Sequence, residues 1–182
     1  MRYGADHKSK TRAQILEAAM ALLVGEGPAA VTIHGAMRAA ALSHGGFYAH
    51  FDSRDALLEA AISAAAARTL DGLFGGANPT SDADPRDVIG RYLGRAHLET
   101  KIGCPLPAMC GGDLHEGAEA VRREAVARYA QALTAIAPDV KTADALLALM
   151  VGGLAVARAQ GGEDGEATLR ACRRAARAII DA

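Results

Sequence analysis

The sequence predicts an all-α protein, a small N-terminal helix-turn-helix unit followed by a larger helical body. Three observations carry that expectation. Of 182 residues 51% are apolar but only 4% are aromatic, so alanine supplies much of the apolar share and the core must form from closely approaching helices. Apolar residues recur at i, i+3, i+4 and i+7 in one segment after another. No alternating strand pattern of useful length, internal repeat or low-complexity tract is evident.

The elements follow in order. From Thr11 onward, Ile15, Ala18, Ala19, Leu22 and Leu23 form one helical face, stopped by "GEGP" at Gly25 to Pro28. Thr32 is a suitable N-cap for a short second helix with Ile33, Ala36, Met37 and Ala40 inward. Ala41 and Leu42 make a brief connection, and Ser43 is the expected N-cap of a third short helix with Phe47 and Phe51 on its inner side. Two short helices joined by a tight turn are the helix-turn-helix pattern. Asp52 is expected to cap a fourth helix of about twenty residues, with Asp55 favouring its positive end and Leu58, Ala61, Ile62, Ala65, Thr69 and Leu73 buried.

After the polar loop "GGANPTSDADP", Asp84, Pro85 and Asp87 combine cap, N1 proline and N3 carboxylate to start a fifth helix with Ile89, Tyr92, Leu93 and Ala96 as its face. "GCPLPAMCGG" has room for little more than one turn. Ala118, Val121, Ala125, Tyr129, Ala132, Leu133 and Ile136 mark a long helix ended by Pro138. Leu146, Leu147, Met150, Val151, Leu154 and Ala155 mark another, and Cys172, Ala175, Ala176 and Ile179 line the last. The expected division is residues 1–52 for the helix-turn-helix unit and 53–182 for the larger helical body.

A formal charge of −1 excludes a polycation that coats nucleic acid or anionic membranes, so nucleic-acid contact must be local. Arg2, Lys8, Lys10 and Arg12 without a long apolar run oppose a signal peptide, and no 18-residue apolar stretch is expected anywhere; the expected location is the cytoplasm, with no membrane partner. Three dispersed cysteines, Cys104, Cys110 and Cys172, read as free thiols.

The stretch "LSHGGFYAHF" carries the functional reading. With Ser43 as cap, Gly45 and Gly46 fall in the first turn of a recognition helix, where missing side chains bare the backbone N–H groups and allow close approach. The N-terminal residues of such helices meet base edges in the major groove. His44 is the best candidate for a base contact. Thr32 and Arg54 can reach phosphates, and Tyr48 and His50 add polar tips on apolar rings.

"KTRAQILEAAMALLVGEGPAAVTIHGAMRAAALSHGGFYAHFDSRDALLEAAI", Lys10 to Ile62, resembles the N-terminal region of TetR/AcrR-type transcriptional regulators, about a third of the chain. The resemblance implies a nine-helix homodimer whose first three helices bind double-stranded operator DNA. It assigns DNA contact to Thr32, Ser43, His44, Gly45, Gly46, Tyr48, His50 and Arg54, and core positions to Phe47 and Phe51. Departures are Ala41, where the family often has a glycine, and His34, Gly35 and Ala36 in place of an acidic pair and a larger aliphatic residue. A left-handed backbone at Ala41 would be strained.

The expected activity is that of a ligand-responsive regulator, most often a repressor in this family, without cofactor, metal or enzymatic chemistry. An apolar or amphipathic effector is expected near Tyr92, Leu93, Met109 and Tyr129, and a dimer contact at Leu146, Met150, Leu154, Ala175 and Ile179. Alternatives remain. Cys104, at the expected start of a helical turn, could have a lowered pKa and sense electrophiles or oxidants with Cys110 resolving. An all-α thiol enzyme, a helical scaffold without DNA binding and a zinc site at Cys104, Cys110 and His115 are the other readings, the last lacking paired spacings and a clear fourth ligand.

Overall fold

The computed structural model describes residues 2–75, 83–100, 103–111 and 113–181, so residues 76–82 of the polar loop and Gly112 of the glycine-proline joint lie outside the described residues. Helix α1 spans Arg2–Glu26, beginning well before the expected Thr11. Ile15, Ala19, Met20, Leu23 and Val24 are its buried face. Helix α2 covers Ile33–Ala39, and Thr32 caps it as expected, its Oγ1 accepting from Gly35 N at 2.9 Å.

The third element, His44–Ala49, is a 3₁₀ helix, and the Ser43 side chain makes no capping bond. Its bonds run from Gly46 N to Ser43 O (3.3 Å) and from His50 N to Phe47 O (2.9 Å). With two glycines in six residues the segment lacks the propensity to settle into an α-helical turn. Helix α3 is Arg54–Phe74, capped by Ser53, whose Oγ accepts from Ala56 N at 3.0 Å. That corrects Asp52, which lies one residue too early to reach the free N–H groups of the first turn. The anticipated stripe from Leu58 to Leu73 is buried, and Gly75 ends the helix in the left-handed region at φ 75°.

Asp84 caps α4, Pro85–Tyr92, its Oδ1 accepting from Arg86 N at 2.8 Å. The single fifth helix is instead broken at Gly94: α4 ends at Tyr92 and α5 is a short Arg95–Glu99. A Cβ on Gly94 would stand 2.9 Å from Gly90 O, so only glycine allows the chain to turn so closely on itself. The joint holds one 3₁₀ turn, Leu106–Met109, which packs on both α1 and α7.

Helix α6 (Glu116–Thr134), α7 (Val140–Gln160) and α8 (Gly162–Ile180) complete the body. α6 stops before Ile136, and Ala175, expected inward, is exposed while its neighbour Ala176 is buried. α3 packs on α1 and α6, and α7 on α6 and α8. One continuous core runs from Ile15 to Ala176. By length and composition α7 is apolar enough to cross a membrane, which corrects the expectation that no such stretch exists. Here it packs between α6 and α8.

Candidate nucleic-acid interface

Helix α2 ends in a Schellman motif: Leu42 N–H donates to Met37 O (2.9 Å) and Ala41 N–H to Arg38 O (3.0 Å). The residue that must turn left-handed there is Ala41, at φ 56°, the one positive-φ non-glycine among the described residues. Its methyl costs about 1–2 kcal/mol relative to an ordinary backbone. The turn places the 3₁₀ helix across α2.

Phe47 and Phe51 are buried and stack with ring centroids 5.9 Å apart. Tyr48 meets Phe47 edge-on at 5.3 Å yet remains 65% exposed. Ser43, His44, Gly45 and Gly46 are exposed on the same tip, and Thr32 is exposed at the α2 N-terminus. Nothing of the chain lies within 4 Å of a Cβ on Gly45, and Gly46 would meet only Met37 Cε at 4.0 Å. Internal packing therefore does not require these glycines. His50 is partly buried, with an Nδ1 that has no partner among the described atoms.

Arg54 has a different task. Its Nε donates to Val31 O (2.8 Å), its Nη2 to Pro28 O (2.7 Å), and its Nη1 pairs with Asp55 at 3.3 Å. These bonds clip the first turn of α3 to the Pro28–Val31 loop and leave the guanidinium little freedom for a phosphate. Sequence reasoning missed two residues at this surface. Arg12 of α1 sits 4.5 Å over the Phe51 ring, a cation–π contact that fixes an exposed guanidinium beside the tip. His34 lies 6.5 Å, ring to ring, from His44. A basic cluster near the N-terminus was the only sequence signal for Arg12.

Residues 15–61 match the family model for bacterial regulatory proteins of the tetR family. The likeness to that family therefore covers the helix-turn-helix head, about a quarter of the chain. Solved structures share its fold across nearly the whole chain. A TetR-family regulator from Cytophaga hutchinsonii is 20% identical with a TM-score of 0.72, covering 96% of this chain and 95% of the other. The reduced form of NemR from E. coli is 21% identical at 0.68, covering 93% and 97%. The multidrug binding protein EbrR, solved with imidazole, is 23% identical at 0.60, covering 93% and 94%. No curated protein matches by sequence.

In the helical body, the expected effector residues are not brought together in any cleft formed by the described residues. Tyr92, Leu93 and Tyr129 are buried in the core, and among the described residues only Met109 of the four lines a cleft, one of about 460 Å³ between the 3₁₀ turn, α6 and α7. A second cleft of about 470 Å³ opens between α3 and the α4–α5 corner.

Cys104 is fully buried, and burial pushes its thiol up, against the neighbouring Tyr129 and Tyr92 hydroxyls, which lower it. This corrects the lowered pKa expected at a helix start: Cys104 precedes only a 3₁₀ turn, and desolvation outweighs the helix end. Its N–H donates to His97 Nε2 at 3.0 Å. Burial first, and the Arg158 charge second, hold His97 down to about 4. Cys110 is exposed, its Sγ donating to Leu106 O at 3.2 Å.

Of the expected dimer residues, Leu146, Met150 and Leu154 are buried within the chain itself, Ile179 is half-buried and Ala175 is exposed. The outward face of α7 carries Ala145, Ala148, Gly152 and Val156 instead, one turn apart.

Proposed function

We propose that the chain is a ligand-responsive repressor that binds a pseudo-palindromic operator as a homodimer and leaves it when a small molecule occupies the body. The observation that carries the DNA-facing part is the tip: exposed glycines with no internal reason for their missing side chains, beside an exposed Tyr48 and a fixed Arg12. Ser43, His44, Gly45, Gly46 and Tyr48 would enter the groove, with Thr32 and His50 at its edge. Arg12 would take the phosphate role first given to Arg54.

The small exposed residues of α7, continued by Ala171 and Ala175 on α8, would seat a second copy, because close helix approach needs short side chains. A dimer sets two recognition elements at a fixed spacing for two half-sites. The imidazole held by EbrR supports small-molecule control by analogy. Thiol sensing has less support, since a fully buried Cys104 with a raised pKa gives little thiolate for a reagent to find.

A gel-shift titration on the DNA upstream of the protein's own gene tests this reading. A specific complex is expected that weakens steeply with salt. Tyr48→Ala should weaken it by about tenfold or more, on the scale of about 1.4 kcal/mol, with the circular dichroism spectrum preserved. No specific complex at any low salt concentration would overturn the proposal.

A further inference from the structure

The cleft between α3 and the α4–α5 corner has a charge pattern that the regulator reading leaves unexplained. Arg68 from α3, Arg91 from α4 and Arg95 from α5 all line it, and no Asp or Glu is among the described lining residues. Arg95 is neutralised from outside by Glu99 at 2.7 Å and Glu166 at 3.4 Å. Arg91 makes no ion pair among the described residues. Leu73 and Ala96 supply apolar wall, and Gly72, Gly90 and Gly94 leave room between the arginines. Such a lining suits an anion on an apolar body, because the guanidinium fork matches a carboxylate and the walls exclude water from the rest.

Arg68 also has a partner, Glu17, that links this cleft to the N-terminal head. Its Nη1 and Nη2 each donate to a carboxylate oxygen of Glu17 at 2.7 Å, joining α3 to α1 across 51 residues. The bond holds the Glu17 carboxyl below its ordinary value and raises Arg68. Both side chains are about half exposed, 49% and 46%. A pair this open to water is screened, so even with its bidentate geometry it can be exchanged for another carboxylate of equal fit.

We propose that the cleft binds an anionic effector, a carboxylate on an apolar body, which draws Arg68 from Glu17 and so loosens α1 against α3. The inference rests on the reading of the chain as a ligand-responsive DNA-binding regulator. The carboxylate meets Arg91 first and then competes for Arg68. The coupling is bounded by what the half-exposed pair contributes, so operator affinity falls two- to fivefold through this contact rather than by orders of magnitude.

Calorimetric titration of the full chain with benzoate and octanoate, each beside its uncharged amide, tests the binding without any DNA. At least one carboxylate is expected to bind tenfold or more tighter than its amide, Arg91→Gln to weaken it about tenfold, and Arg91→Lys to recover part. Equal binding of acid and amide, no binding of either acid at millimolar concentration, or an unchanged affinity in Arg91→Gln overturns the ligand class.

The coupling is read separately by gel shift. Glu17→Gln should lower operator affinity two- to fivefold without ligand and blunt the further fall that the carboxylate causes. A full ligand response in Glu17→Gln overturns the Arg68 exchange. Absence of any specific DNA complex in the wild-type chain defeats the regulator reading instead, while the calorimetric result still decides the ligand class.

Discussion

At Gly45 nothing of the chain lies within 4 Å of where a Cβ would stand, whereas at Gly153 that atom would sit 2.7 Å from Cys172 Sγ and 3.1 Å from its Cβ. Both positions are glycine, but for opposite reasons. In the body the missing side chain lets α7 and α8 meet; at the tip of the head it leaves a space that the chain itself never fills. The proposed groove contact would use that space, whereas open glycines at helix ends, such as Gly75 and Gly161, answer to their backbone angles instead. The same contrast separates Gly103, whose Cβ would stand 2.8 Å from His97 Cδ2, from Gly46 at the tip.

The largest effect that sharpens this contrast comes from acid. Tight packing around Gly103 seals His97, which is held at about 4 by burial and then by Arg158. An unfolded histidine takes its proton near 6.5, so between those values the unfolded chain binds a proton that the folded one does not. The stability contributed by neutral His97 is therefore complete above about pH 6.5 and declines toward pH 4, by on the order of 3 kcal/mol. Urea unfolding at pH 7 and pH 4.5 should show the fall, and His97→Gln should shrink it.

Gly153→Val should cost about 2 kcal/mol by overpacking the α7–α8 crossing, lowering the melting temperature by about 4–8 °C. Gly45→Ala should do the reverse of that pattern: an unchanged melting temperature and an operator complex weakened about tenfold, near 1.4 kcal/mol. If Gly45→Ala destabilises the fold while leaving DNA affinity intact, the contrast between the two regions is wrong. The smallest expected change is a gain. Ala41→Gly relieves the left-handed turn at φ 56° and should add about 0.5–1 kcal/mol once the greater freedom of the unfolded chain is subtracted. A calorimetric scan should place its melting point about 1–4 °C higher.

Much of the helical framework was legible because it depends on neighbours in sequence. The stripe from Leu58 to Leu73, the Thr32 and Asp84 caps and the stop at Gly75 all follow from local periodicity or capping. What escaped depends on partners distant in sequence or on small differences between adjacent residues. Arg54 reads as a free cation until Pro28 and Val31 carbonyls are found beside it. Ser53 and Asp52 are equivalent caps on paper, and geometry chooses between them. The expected effector residues were apolar and aromatic, which marks burial as readily as a pocket; Tyr92 and Tyr129 went to the core, and the arginine-lined cleft gave no periodic signal.

The Arg54 clip has a mechanical consequence. By binding the carbonyls of Pro28 and Val31, it ties the first turn of α3 to the loop that carries α2, so a tilt of the rod would be passed to α2 and the 3₁₀ tip even where α1 is loosened. With 21 residues, α3 is a lever about 31 Å long. A tilt of about 5° about its Gly75 end sweeps the other end through about 2.7 Å, close to the length of one hydrogen bond. In the proposed repressor, a displacement of that size would carry a fitted tip out of register with the groove.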